Sequence, residues 1–232
     1  MQQNKTGKYL KYAIGEIVLV VIGILIALSI NNWNKERQTK KNEDKLLTEM
    51  LNSIKSDYAF LNFAITVNKK IQTSCEIILS QLNHNATYHD SLEYHFMNSN
   101  NWMTILLRKN GYEKAKSYGL EFMSDSLRNK ITNFYENRLV FMDVMMERQN
   151  LYYYNIAVPL MTGLFQETIT PSLRQEGVAP YDYEALKGDL KYRNILKTNI
   201  RNRGLEVRWI KNLIRRMEIL EKTLIEEIKN RL

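Results

Sequence analysis

The chain has 232 residues, 44% hydrophobic and 25% charged, a balance that excludes a disordered polymer and leaves length enough for a buried core. Its one cysteine, Cys75, excludes an intramolecular disulfide and leaves only an intermolecular bridge open. Three prolines and nine glycines, none of them between Ile24 and Asn110, point to long helices, and the net charge is +8.

Residues 1–11 form a basic tail carrying Lys5, Lys8 and Lys11. Residues 12–33 follow as the expected transmembrane helix. Ile17 to Leu28 is uninterrupted apolar or glycine sequence, and with Ala13 to Glu16 and Ser29 to Ile30 it reaches the usual lower limit of a span. Tyr9, Tyr12 and Trp33 stand where interfacial aromatics belong. A soluble core helix would need a polar face, which positions 17–28 lack. A cleavable signal is the stronger rival, since Ala27-Leu28-Ser29 has the small-x-small form of a cleavage site. The helical pattern nevertheless runs past Ser29, which favours an uncleaved anchor.

Glu16 lies near the end of this span, where its side chain can reach the interface. There it avoids the roughly 2.5–3.5 kcal/mol that an acid costs at the bilayer centre. Glu16, Gly23 and Ala27, spaced seven and four apart, share one helical face, and Gly23/Ala27 is a small-xxx-small pair. This face is the expected helix-pairing site and makes a homo-oligomer through the anchor one expected partner; a snorkelling Glu16 on a plain anchor is the simpler alternative.

Beyond the anchor, Leu47, Leu51, Ile54, Tyr58, Leu61, Ile65, Asn68, Gln72, Cys75, Leu79 and Leu82 follow alternating steps of four and three. This heptad seam suits a coiled coil between subunits or the long helix of an intrachain bundle. The bundle is favoured because later segments carry apolar stripes that need partners. Asn83 to Asn85 should end the helix. Asp90–Met97 and Trp102–Lys109 read as two short helices, the second stopped by Gly111 after a C-cap. Ser124 or Ser126 caps the next, which should run to about Ala157 with Leu127, Ile131, Phe134, Met142, Met145 and Tyr152 inward.

Pro159, Pro171 and Pro180, with Gly163 and Gly177, mark residues 158–182 as an irregular connection. Helices over Tyr183–Lys197 and Leu205–Arg231 close the chain, the last with Trp209, Leu213, Met217, Leu220, Leu224 and Ile228 inward. The segment from Lys187 to Leu232 holds nearly all the net positive charge, so an acidic partner or anionic lipid is expected there. No aromatic-and-glycine pattern of a nucleic-acid module accompanies it, and nucleic acid is not favoured.

The stretch Lys11 to Asn34, KYAIGEIVLVVIGILIALSINNWN, resembles the N-terminal signature of a bacterial family of single-pass membrane proteins that constitutes a domain of unknown function. Asn110 to Arg138 is similar to that family's second recurring block, in which a turn glycine precedes a run of leucine, arginine, asparagine, lysine and isoleucine. The chain departs from the pattern at Ala115-Lys116 and at Met123. The resemblance implies an anchor followed by an α-helical domain and supplies no catalytic residue.

The chain carries no phosphate-cradling loop, no paired cysteines and no zinc-protease motif. His84, His89 and His95 cluster in sequence, but spacings of five and six put them on no common helical face. No catalytic, cofactor-binding or metal residue is therefore expected. The reading is all-α: an N-terminal transmembrane helix continuing into a long helix that packs in an antiparallel helical bundle, residues 34–232. The expected function is that of a non-catalytic, membrane-anchored interaction or scaffold protein. The alternative is a ligand-sensing module with a pocket near residues 158–183. Lys35, Arg37, Lys40, Lys41 and Lys45 after the anchor outnumber the three lysines before it and favour a cytoplasmic domain. A long domain after a short N-terminal tail nevertheless commonly crosses whatever its charge, so the expected location is a bacterial inner membrane with the main domain periplasmic.

Overall fold

The computed structural model describes residues 5–170 and 175–231. Residues 1–4 of the basic tail, and Pro171, lie outside the described residues. The first helix, α1, spans Lys5–Asn83, and within it the chain divides into two compact units, Met1–Thr48 and Glu49–Leu232.

The described part of the first unit is helical throughout, and residues 12–42 are all exposed. The second unit is a helical bundle: the end of α1, then α2 (Ser91–Ser99), α3 (Asn110–Tyr118), α4 (Asp125–Thr132), α5 (Leu139–Tyr152), α6 (Val158–Leu164), α7 (Tyr183–Gly188) and α8 (Leu190–Lys229). Between α6 and α7 lies an antiparallel hairpin of β1 (Phe165–Thr170) and β2 (Gln175–Pro180), in register from Phe165 opposite Pro180 to Thr170 opposite Gln175.

The α1 seam has the expected heptad period, but its second row is rotated by one residue. Ile54, Leu61, Asn68, Cys75 and Leu82 are buried as expected. The row beside them is Met50, Asp57, Ala64, Ile71 and Ile78, whereas of the expected row Leu51, Tyr58, Ile65 and Gln72 are only half-buried and Leu79 alone is buried. Steps of three-four and four-three share one period and differ only in which flank of the common row turns inward. The partners lie in the same chain. Arg193 reaches the Leu82 carbonyl and Asn83 while Arg203 reaches Asn68, so α8 runs antiparallel to α1. Ser124 and Lys130 bond to Glu227 and Thr223, which sets α4 antiparallel to α8 as well.

α1 ends at Asn83 as expected, and Asn85 turns the chain with φ +52°. The helix expected over Asp90–Met97 forms as α2, but the one expected over Trp102–Lys109 does not. Arg108 N–H donates to both oxygens of the buried Asp57 at 3.2 and 3.3 Å, which fixes this backbone against α1. Gly111 is accordingly not a stop after a C-cap; it is the second residue of α3. A Cβ there would lie 3.0 Å from the Met50 Cα, so glycine is what lets α3 touch the α1 backbone.

Ser124 caps α4, its Oγ accepting from Leu127 N–H. The helical run then passes Ala157 and reaches Leu164, interrupted by π-helical turns at Asn133–Arg138 and Tyr153–Ala157. The first π turn inserts a residue and rotates the inward face, from Leu127, Ile131 and Phe134 to Tyr135, Leu139, Met142 and Met146. Met146 is therefore buried where Met145 was expected, and Tyr152 is half-buried. The second π turn precedes Pro159, whose ring would meet the carbonyl of residue 155 in an unbroken α-helix.

The described residues of the connection 158–182 are largely regular. They form α6 followed by the hairpin, with Met161, Phe165 and Tyr183 packed in a core with Ile71, Cys75, Phe96, Tyr192 and Leu196. The last helix also begins earlier than expected. The break falls at Gly188-Asp189, where the Asp189 carboxylate caps α8 by accepting from Tyr192 N–H at 2.9 Å. α8 then passes Gly204 unbroken. Its inward row is Ile210, Leu213, Met217, Leu220 and Leu224, with Trp209 and Ile228 half-buried.

Candidate functional site

In the first unit, α1 places Gly23 and Ala27 one turn apart and Glu16 two turns earlier, all exposed. A Cβ at Gly23 meets nothing within 4 Å, so this face is open to a close neighbour. Every large apolar side chain from Tyr9 to Trp33 is at least 47% exposed. This is the one helix among the described residues that is long and apolar enough to cross a membrane, with a mean hydropathy of 2.8 over its best window.

In the second unit a polar cluster sits inside the bundle between α1 and α8. Arg203 and Glu206, one turn apart on α8, form an ion pair at 2.8 Å with both side chains almost wholly buried. Arg203 also donates to Asn68 Oδ1 at 3.2 Å, and its guanidinium lies 4.0 Å over the Trp102 ring. Trp102 in turn donates from Nε1 to Asn150 at 2.7 Å and stacks on Tyr153. Burial raises the Glu206 carboxyl to about 7 despite the adjacent guanidinium, and burial lowers Arg203. Arg203 Nε and Glu206 Oε1 have no hydrogen-bond partner among the described residues. Such a pair is a weak source of stability, and its best-attested use is to fix the register of the helices that share it.

This cluster was only half visible in the sequence. Asn68 stands in the heptad seam, but Arg203 and Glu206 were missed. The signal was present: carrying the four-three spacing of Leu224, Leu220, Met217, Leu213 and Ile210 backwards along α8 lands on Glu206, Arg203 and Asn199. Asp57 was missed for the same reason, since it occupies the rotated row of α1. Its burial raises the carboxyl to about 6, against the opposing bond from Arg108.

The three histidines do not converge. His84 Nδ1 bonds to the Ser80 carbonyl, His89 Nδ1 meets Ser91, and His95 Nδ1 meets Ser74 Oγ at 3.1 Å. Among the described residues no group of three His, Cys, Asp or Glu side chains is placed to hold a metal ion. Cys75 is fully buried and its thiol is pushed up to about 12, so it offers neither a nucleophile at neutral pH nor an accessible partner for an intermolecular bridge.

A model of a family of unknown function (DUF6090) matches residues 16–181, more than two thirds of the chain. No curated protein and no solved structure matches it.

Proposed function

The chain belongs to the DUF6090 family, and on that premise we propose that it is a membrane-anchored α-helical interaction protein without catalysis. The observation that carries this reading is the apolar surface of α1. The large side chains from Ile14 to Ile30 stand exposed together. At about 1.5–3 kcal/mol for each such side chain, their removal from water is worth on the order of 20 kcal/mol. A lipid bilayer supplies that burial over the right length.

Within this reading Glu16, Gly23 and Ala27 form the pairing face of the anchor, with the carboxylate near the interface and the small residues admitting a second helix. The buried Arg203–Glu206–Asn68 cluster holds α8 in register on α1 and so keeps the bundle in one packing. The bonded histidines and the buried Cys75 support a non-catalytic role. The ligand-sensing alternative near 158–183 has no comparable support, because Met161, Phe165, Tyr183 and Leu186 turn into the core. The location proposed is a bacterial inner membrane with the second unit on the periplasmic side.

The test is chemical crosslinking of the full chain in native membranes, comparing wild type with Gly23→Leu. A crosslinked homo-oligomer or discrete heteromer is expected, with the anchor-dependent species reduced in the variant. Monomer alone under all conditions contradicts an interaction role.

A further inference from the structure

The outer surface between α5 and α8, within the second unit, is an open groove of about 460 Å³. Its floor is apolar, made by Phe141 and Met142 from one side and Trp209 and Leu213 from the other. Phe141 is 53% exposed and meets Trp209 edge to face at 6.5 Å. Val140 and Val144, also exposed, extend the apolar surface of α5. Five cations stand around this floor: Arg138, Arg208, Lys211, Arg215 and Arg216. Arg208, Lys211 and Arg215 are spaced three and four apart and so form one row along α8.

No carboxylate lines the groove. Arg138, Arg208, Lys211 and Arg215 have no ion-pair partner among the described residues, and Arg216 donates only to Asn212. A smaller depression shares Arg138 and Arg216 and carries the groove on to Ile219 and Leu220, with Lys130 beside it. From Arg208 to Leu220 the helical rise gives a length of about 18 Å, or some three turns of helix.

We infer that this groove docks an acidic amphipathic helix of another protein, its apolar stripe on Phe141 and Trp209 and its carboxylates on the α8 row of Arg208, Lys211 and Arg215 and on Arg138 across from it. The inference rests on the reading of the chain as an interaction protein and names the partner's chemistry. Five cations with no carboxylate in the lining call for an anionic occupant. The elongated apolar floor calls for a side-chain stripe as well as charge, as in helix-in-groove recognition, and Trp and Arg are the residues that most often dominate binding energy at such places. A second copy presenting the same face would set like charges against one another.

The test uses the full chain in phosphatidylcholine nanodiscs and a fluorescent helical peptide of about 14 Leu and Glu residues, with Leu at helical stripe spacing. A peptide of the same composition in scrambled order is the control. The striped peptide should bind about tenfold or more tighter than the scrambled one, and Arg208→Glu/Arg215→Glu should lose a similar factor, as should Phe141→Ala separately. Both sets of side chains are at the surface, and unchanged circular dichroism of each variant confirms the fold. Equal binding of the two peptides, or undiminished binding by the charge-reversed variant, overturns the inference. Phosphatidylglycerol vesicles or duplex DNA that displace the striped peptide, while the stripe itself confers no preference, assign the cations to a membrane or nucleic acid and overturn it too. Peptide binding reads the second unit alone, whereas crosslinking and fractionation read the anchor, so failure of the one is separable from failure of the other.

Discussion

Glu206 shows how one buried side chain ties stability to pH. Its carboxyl sits at about 7 in the folded chain against an ordinary 4.5, because burial outweighs the attraction of Arg203. The folded state then holds the proton more tightly than the unfolded state. Stability therefore falls as pH rises from about 4.5 to about 7, by on the order of 3 kcal/mol for the single group. Glu206→Gln removes that dependence. Urea unfolding at pH 4.5 and pH 7.5 should show the variant gaining on wild type as pH rises; parallel pH profiles would refute this account of the cluster. Gly111 is a second residue with a sharp consequence. Gly111→Ala puts a methyl group against the Met50 backbone, which has no rotamer with which to retreat. A loss of about 1–3 kcal/mol is expected from the same unfolding measurement.

At the scale of elements, the informative comparison lies between the two flanks of the α1 seam. Leu61 is fully buried and Ile65 half-buried. Leu61→Ala should cost about 2–5 kcal/mol, and Ile65→Ala clearly less; equal losses would mean that the seam faces the other way. The heptad period was legible in the sequence because Ile54, Leu61, Asn68, Cys75 and Leu82 are common to both phases. The phase was not legible, since it depends on Asp57 being buried by the Arg108 amide 51 residues later. Met145 and Met146 tell the same story: a π turn shifts the face by one residue without leaving a mark in the apolar pattern. Caps were partly readable: Gly111 misled, whereas Ser124 was one of the two serines expected to cap α4, and Ser124→Ala should cost about 1 kcal/mol in thermal unfolding. The hairpin was hidden because three prolines and two glycines signal a break equally well whether strands or loops follow.

For the whole molecule, the sequence speaks most clearly at the N-terminus, where composition alone sets the physics. An apolar run with interfacial aromatics needs no tertiary partner in order to be recognised. The candidate interaction groove was much less visible: the net charge of the C-terminal segment was plain, but the approach of Phe141 to Trp209 exists only in the fold. On the proposed membrane reading, the side that carries the second unit is open to labelling. Cys75 is too buried to report, so Lys69→Cys in a Cys75→Ala background is the suitable probe. Reaction with a membrane-impermeant maleimide in intact spheroplasts is expected; labelling only after lysis would place the unit in the cytoplasm.

The proposed uncleaved anchor is tested by washing membranes that contain the full chain with alkaline carbonate and determining the N-terminal sequence of the protein that remains. Retention in the pellet is expected, with Glu16, Gly23 and Ala27 still present. Release into the wash, or a mature chain beginning after Ala27-Leu28-Ser29, would contradict it.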